Sequence, residues 1–173
     1  MKLTLLFVAL LVTLNLSALT VGKTPKTTVI EGENGGNVSD GSAWSSETLK
    51  DKVYVMFYVD PDEKDLNEPF SDALKKKNYR EKGAYGSIAI VNLAATWKPN
   101  FIIEKLLKSK QKEFPQTIYV KDKNSVLVKE WDIADNSSDI LIFDQDGTLL
   151  FYKDGAMTQK DMQKAFKIIE AHI

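Results

Sequence analysis

The chain has 173 residues, a formal net charge of −1, one histidine and no cysteine. The lack of cysteine excludes disulfides, thiol nucleophiles, thiolate metal centres and dithiol redox centres. A single histidine excludes sites that need several imidazole ligands. The near-zero net charge gives no general attraction for nucleic acid or anionic lipid. A hydrophobic content of 43% is typical of a packed globular protein.

The N-terminus has the pattern of a secretory signal peptide. Lys2 is followed by an apolar run over residues 3–16, which ends in two small residues. This run is shorter than the roughly 18 to 20 apolar residues that a membrane-spanning helix needs. We therefore predict cleavage of residues 1–20, one folded domain over residues 21–173, and an exported product with no stable membrane anchor.

Two strands without polar alternation are predicted in the first half of the domain. Val53 to Val59 (VYVMFYV) and Ser87 to Leu93 (SIAIVNL) read as parallel strands that are buried on both faces. Asp60-Pro61-Asp62 ends the first strand and suits the N-terminus of a helix. A second helix is predicted to open with Pro99. We expect its buried stripe to contain four residues: Ile102, Ile103, Leu106 and Leu107.

The second half predicts antiparallel strands and a closing helix. We expect one strand pair at Thr117 to Val120 and Val126 to Trp131, and a hairpin at Ile140 to Phe143 and Thr148 to Tyr152. Thr158 and Asp161 predict a capping box at the start of a terminal amphipathic helix. Three further expectations complete this reading: an exposed loop over Gly32 to Ser46, packing roles for Trp44 and Trp131, and a surface position without a partner for His172.

This order of elements resembles the thioredoxin superfamily. Val21-Gly22-Lys23-Thr24-Pro25 and the segment Ile140 to Gly147 (ILIFDQDG) resemble its peroxiredoxin and thiol-disulfide reductase branch. Residues 153–159 (KDGAMTQ), together with Trp131, resemble the YtfJ family of small periplasmic thioredoxin-like proteins, and the likeness covers Val21 to Ile173. The resemblance implies an α/β fold, a thioredoxin-like three-layer α/β/α sandwich with a central mixed sheet, and a periplasmic location. That family has no established biochemical activity.

Two hallmarks of the redox members are missing from this chain. Where those members carry a reactive cysteine after the central strand, this sequence has Asp60-Pro61-Asp62-Glu63-Lys64-Asp65. Where they carry a cis-proline before the hairpin, it has Asn136-Ser137-Ser138-Asp139. Carboxylates cannot perform thiol exchange, so the resemblance carries over no catalytic residue and no cofactor.

A binding site is most plausible where three loops converge beyond the carboxyl ends of the parallel strands. The candidate residues in these loops are Asp60, Asp62, Asn92, Trp97, Ser137 and Ser138. Trp97 offers a stacking face, and the polar side chains offer hydrogen bonds; the alternative is that the aspartates cap a helix and Trp97 is partly buried packing. The spacing of Asp60, Asp62 and Asp65 does not fit a calcium loop, so no metal site is predicted.

The leading functional prediction is a redox-inactive binding module for another periplasmic protein, an extended peptide or a small ligand. The alternative is a cysteine-independent hydrolase that uses carboxylates. Residues 140–150 (ILIFDQDGTLL) match the phosphatase signature of the haloacid-dehalogenase type, with Asp144 as nucleophile and Asp146 as acid and base. Only 23 residues follow Leu150, too few for the rest of such a domain, and both aspartates also suit a tight turn.

Overall fold

The computed structural model describes residues 19–173. The predicted signal peptide lies almost entirely outside these residues. A six-stranded mixed sheet forms the centre of the domain, in the order β2-β6-β5-β4-β7-β8. Its strands are β2 (Gly35–Asn37), β4 (Val53–Val59), β5 (Tyr85–Asn92), β6 (Thr117–Asp122), β7 (Ser138–Phe143) and β8 (Leu149–Lys153). Strands β4, β5 and β6 are mutually parallel, and the other pairs are antiparallel.

Four helices cover the two faces of the sheet. They are α1 (Glu68–Lys77), α2 (Asn100–Glu113), α3 (Val126–Trp131) and α4 (Gln159–His172). A small sheet of β1 (Val29–Ile30) and β3 (Trp44–Ser45) packs beside α3. The predicted three-layer α/β/α sandwich with a central mixed sheet is confirmed.

The alternation of side chains along each strand divides the core between these faces. Met56, Ile88 and Val120 point toward α3 and pack with Leu127 and Trp131. On the opposite face, the side chains of α1 and α4 pack against the alternate residues of the strands, whose side chains point away from α3. This second cluster contains Val53, Val55, Phe70, Leu74, Ile140, Ile142, Ala165 and Ile169. Strand β7 is buried along its whole length, and β4 contributes buried side chains to both faces, which explains the continuous apolar runs of these two strands.

Two predicted local structures are confirmed in detail. The hairpin of β7 and β8 turns at Asp144 to Thr148, where the backbone N–H of Asp144 donates to the carbonyl of Thr148 at 2.8 Å. Helix α4 begins with the predicted capping box, in which Thr158 and Asp161 exchange side-chain and backbone hydrogen bonds. Trp44 and Trp131 are buried, as their predicted packing roles require.

The predicted strand over Val126 to Trp131 is wrong, because this segment is the helix α3. The cause is Asp122, a fully buried residue at the end of β6. Its carboxylate accepts hydrogen bonds from the backbone N–H groups of Val126 at 2.9 Å and Leu127 at 3.1 Å. It also accepts the hydroxyl of Tyr58 at 3.1 Å. Asp122, four residues upstream of Val126, thus accepts hydrogen bonds from the first N–H groups of α3. This capping stabilises the helix although the segment contains β-branched residues that favour a strand.

The prediction of one exposed loop over Gly32 to Ser46 is also wrong in part. Gly35 and Gly36 lie in β2, an edge strand that pairs with Lys121 and Asp122 of β6. Gly35 has a φ of 124°, and a Cβ at this position would lie 1.9 Å from the carbonyl oxygen of Lys121. The two glycines therefore permit close backbone approach at the sheet edge rather than a tight turn.

A second buried carboxylate lies in β7. Asp139 is fully buried, and its Oδ2 accepts the backbone N–H of Ala134 at 3.2 Å and the hydroxyl of Tyr152 at 3.1 Å. Its Oδ1 has no hydrogen-bond partner among residues 19–173. Burial raises the pKa of Asp139, because the charged form is poorly solvated there.

We expect Asp122→Ala to lower the free energy of unfolding by about 3 kcal/mol or more, since several buried donors lose one charged acceptor. Tyr58→Phe is the matched control, because it removes one hydrogen bond and should lower the same quantity by about 1 kcal/mol. Urea unfolding followed by circular dichroism measures both. Equal losses in the two variants would contradict the capping role of Asp122.

The raised pKa of Asp139 predicts a pH dependence of stability. A carboxyl whose pKa is higher in the folded chain holds its proton more tightly there, so the free energy of unfolding falls as pH rises from about 4 through the raised pKa. We expect Asp139→Asn to flatten this fall and to be at least as stable as the parent at pH 7. Asp139→Ala removes the acceptor of the Tyr152 hydroxyl and one of the two acceptors of the Ala134 N–H, and should lose about 1–3 kcal/mol. A loss in the asparagine variant as large as that in the alanine variant would contradict this account.

Candidate functional site

The three loops expected to converge do so at the carboxyl end of β4 and β5. The backbone N–H of Asp60, after β4, donates to the carbonyl of Ser137, before β7, at 2.8 Å. The side-chain amide of Asn92, at the end of β5, donates to Asp135 Oδ1 at 3.0 Å. The sheet order places β4 between β5 and β7. Because β7 runs antiparallel to β4, the loops after β4 and β5 and the loop before β7 all lie at the same end of the strands.

Asp60 is buried and stabilises the turn that follows β4. Its Oδ1 accepts the backbone N–H of Asp62 at 2.8 Å. Burial raises the pKa of Asp60; the hydrogen bond from Asp62 opposes the rise, and the neighbouring acidic charges add to it. Helix α1 begins at Glu68, well beyond this turn. The alternative in which the aspartates cap a helix at this point is therefore wrong.

Asp62 binds the neighbouring loop on both sides of Trp97. Its Oδ2 accepts the hydroxyl of Thr96 at 2.8 Å, and its Oδ1 pairs with the ammonium of Lys98. The hydrogen bonds from Lys98 and Thr96 lower the pKa of Asp62. The side chain of Trp97, between these two residues, is 84% exposed. The alternative of partly buried packing for Trp97 is therefore wrong.

Asn92 is buried and connects three loops. Besides its bond to Asp135, its Oδ1 accepts the backbone N–H of Ala94 at 3.2 Å and the hydroxyl of Ser125 at 3.0 Å. Ser125 immediately precedes α3. Both polar atoms of the Asn92 amide thus have partners within the protein, and the side chain joins the end of β5 to the start of α3.

Ser137 and Ser138 also have partners within the protein. The partner of Ser138 is Asn67, a residue that was not predicted from the sequence. Ser137 Oγ accepts the backbone N–H of Gly155 at 3.0 Å. The buried Asn67 donates its side-chain amide to the carbonyl of Ser138 at 2.8 Å and accepts the backbone N–H of Met157 at 2.9 Å. The only signal for Asn67 in the sequence is its place as a cap-type residue directly before Glu68-Pro69.

The outer face of α2 is more exposed than the sequence pattern predicts. Ile103 and Leu107 are buried against Val91, as expected. Ile102 and Leu106 were expected in the same stripe, but their exposed fractions are 42% and 57%. Phe101, four residues after Trp97 and near the start of α2, is 71% exposed. The buried stripe is therefore narrow, and apolar side chains continue from Trp97 along the surface of the helix.

The phosphatase-like motif lies in the turn between β7 and β8. This turn is at the end of the strands opposite to the convergent loops. Asp144 Oδ1 accepts the backbone N–H of Gln145 at 2.8 Å, and Asp146 Oδ1 accepts that of Thr148 at 2.8 Å. The prediction that His172 has no partner is wrong, because its Nδ1 lies 3.0 Å from Asp144 Oδ2. The two residues are 28 positions apart, and only the packing of α4 on the hairpin brings them together.

Two cavities in the described part of the chain are not lined by any of the candidate residues. A cavity of about 300 Å³ is lined by Trp44, Gln111 and Tyr119 at the β2–β6 edge, away from the candidate residues. Residues 19–173 contain no group of three or more acidic, histidine or cysteine side chains that could hold a metal ion. In the same part of the chain, no helix combines the length and apolar character needed to cross a bilayer.

Comparison with known proteins gives both a family and a fold. Residues 27–172 match the family described as "Bacterial protein of unknown function (YtfJ_HI0045)". The uncharacterized protein YtfJ of Escherichia coli K12 is 26% identical over 130 residues, which cover 73% of this chain and 70% of that protein. An uncharacterized protein of Haemophilus influenzae is 25% identical with the same coverage.

Solved structures resemble the chain in fold. The thiol peroxidase from Chromobacterium violaceum superposes with a TM-score of 0.62 at 11% identity, and the match covers 90% of this chain and 88% of that one. The exposed lipoprotein thioredoxin of Streptococcus pneumoniae superposes with a TM-score of 0.55 at 15% identity, covering 83% and 99%. The predicted family and fold are confirmed: the chain is a cysteine-free, thioredoxin-like member of the bacterial family YtfJ_HI0045, whose function is unknown.

Proposed function

We propose that this protein is an exported, redox-inactive thioredoxin-fold module that binds another periplasmic protein at the loop end around Trp97. The observation that carries the proposal is the fixed exposure of this tryptophan. Asp62 holds Thr96 and Lys98, the residues on either side of it, while the indole projects into solvent. Large aromatic side chains that are held in place before binding are favoured anchors of protein interfaces.

The surrounding polar groups favour a protein partner over a small ligand. Asp60, Asn92 and Ser138 are buried, and each bonds to other groups of the protein. Small-molecule sites are concave and present unpaired polar groups to the ligand. Here the polar groups stabilise the loops, and the accessible chemistry is the indole of Trp97 and the apolar surface beside it.

The contacts of Ser137 argue for recognition through side chains. The carbonyl of Ser137 already accepts the backbone N–H of Asp60. An extended peptide that paired with this carbonyl would have to displace that bond. We therefore place the contact with the partner at Trp97 rather than along the segment before β7.

The absence of thiol chemistry follows from the composition. Proteins of similar fold include a thiol peroxidase and a thioredoxin, but this chain contains no cysteine. The acidic turn at Asp60 to Asp65 stands where redox relatives have their reactive thiol. We infer that this end of the fold serves binding in this protein.

The same residues bear on the hydrolase alternative. A catalytic carboxylate at Asp62 would have to meet substrate, but both of its oxygens bond to Thr96 and Lys98. Asp144 and Asp146 each cap the backbone of their own turn. Asp144 Oδ2 also lies 3.0 Å from His172 Nδ1, so both oxygens of this carboxylate are engaged within the protein.

Export is supported by the signal-type pattern of residues 1–20. We expect a bacterial host that expresses the full chain to accumulate a processed form in the periplasmic fraction. Intact mass spectrometry should give an N-terminus near residues 19–21. A protein that retains Met1 and stays in the cytoplasmic fraction would contradict export and leave the binding experiments interpretable on the purified chain.

The fixed exposure of Trp97 has a direct spectroscopic test. Trp44 and Trp131 are buried, so nearly all quenching of tryptophan emission by acrylamide should come from Trp97. We expect Trp97→Phe to remove the quenchable, red-shifted component while unfolding free energy changes by less than about 0.5 kcal/mol. Asp62→Ala should shorten the anisotropy decay of Trp97, because its loop is released. An unchanged decay would contradict the anchoring role of Asp62.

The binding proposal is tested by photo-crosslinking in living cells. A photoreactive phenylalanine at position 97 should crosslink a periplasmic protein, whereas the same residue at the exposed Val29 on another face should not. Asp62→Ala should reduce the yield at position 97. Equal products at both positions, or no product at position 97, would contradict the proposal. Turnover of an ester or phosphate substrate that is lost in Asp60→Asn or Asp144→Asn would instead support the hydrolase.

A further inference from the structure

The outer face of α2 continues the surface that begins at Trp97. The exposed side chains of this face, which we call the basic–apolar face, are Phe101, Ile102, Lys105, Leu106, Lys108 and Lys112. The spacing of Phe101, Lys105, Lys108 and Lys112 places them along one line of the helix. Ile102 and Leu106 lie beside this line, so aromatic, aliphatic and basic groups share one convex surface.

The lysines of this face differ from others on the helix in having no carboxylate partner. Lys105, Lys108 and Lys112 form no ion pair with a carboxylate in the described part of the chain. Lys110, by contrast, pairs with Glu113, and Glu104 lies within ion-pair distance of Lys121 and Lys123. The face therefore presents uncompensated positive charge on a protein whose net charge is negative.

The mixture of apolar and unpaired basic side chains favours some kinds of binding partner over others. A second copy of the same chain would bring lysines against lysines, which opposes association. A bilayer would have to accept Phe101 and lysines along the same line of the helix, whereas interfacial helices place apolar and basic residues on opposite faces. A protein segment that carries both apolar and acidic side chains matches the face. Its apolar groups can pack on the apolar residues, and its carboxylates can pair with the lysines.

We infer that the partner contacts this protein through an acidic amphipathic segment that lies along α2. This inference rests on the proposed binding function and specifies the partner of that same surface. Apolar side chains of the segment pack on Phe101, Ile102 and Leu106, and its carboxylates face Lys105, Lys108 and Lys112. Trp97 marks one end of the contact.

The test uses the full chain in cells, with the photoreactive phenylalanine at position 102 and, separately, at position 97. The charge-reversal variant is Lys105→Glu/Lys108→Glu/Lys112→Glu. Its matched control is Lys160→Glu/Lys164→Glu/Lys167→Glu, which changes the net charge equally on the exposed side of α4. Thermal unfolding of both purified variants confirms that they fold.

The expected result has three parts. The crosslinked segment identified by mass spectrometry is net acidic and contains apolar residues. The crosslinking yield at position 102 falls at least about tenfold in the α2 variant, because favourable pairs become repulsive, and is unchanged in the α4 variant. Binding of the purified partner weakens as NaCl is raised.

Other outcomes separate the two proposals. Capture at position 97 that is insensitive to the α2 variant, or a crosslinked segment that is neutral or basic, overturns this inference alone. A crosslink to a second copy also overturns it. So does binding of the purified protein to vesicles of phosphatidylglycerol and phosphatidylcholine that the α2 variant abolishes. No capture at position 97 or 102 overturns both proposals.

Discussion

The carboxylate of Asp122 holds together the end of the sheet on which the candidate site is built. It accepts the hydroxyl of Tyr58 from β4 and the first backbone N–H groups of α3, so three elements depend on one side chain. Asn92 continues this arrangement through Ser125 and Asp135. In a chain without disulfides, such buried polar contacts and the apolar core fix the loops in place. The exposed Trp97 depends on this rigidity, since an indole on a mobile loop loses conformational freedom when it binds.

The same contacts explain why most polar side chains of the convergent loops are engaged within the protein. Sequence reasoning grouped six residues because their loops meet, and the loops do meet. Four of the six, however, have side chains that bond to other groups of the protein: Asp60, Asn92, Ser137 and Ser138. Asp62 holds the next loop, and only Trp97 is directed fully outward. Residue type and loop position predict proximity well, but they do not tell which polar groups remain available to a partner.

The structures that could be predicted from sequence are those with local causes. The apolar run of β4, the hairpin around Asp144 and the capping box at Thr158 each carry their signal within a few residues. Helix α3 was not predicted, because Val126 and Val128 favour a strand and because Asp122, although only four residues upstream, lies at the end of a strand and is held there by the distant Tyr58 of β4. Pairing of Asp144 with His172 depends on how α4 packs. The exposure of Leu106 depends on how much of α2 the sheet covers. Helical periodicity predicts which residues share a face, but it does not predict how wide the buried part of that face is.

The acidic turn after β4 leads to the surface along α2. Its Asp62 pairs with Lys98 and bonds to Thr96, the residues on either side of Trp97. With Lys98 paired, the positive charge that remains uncompensated near Trp97 lies further along α2, at Lys105, Lys108 and Lys112. Aromatic anchor and basic face are therefore separate parts of one surface: the anchor depends on Asp62, and the charge does not. A partner that uses both must extend over about three turns of helix, from Trp97 before α2 to Lys112, which a single bound side chain or a small ligand cannot do.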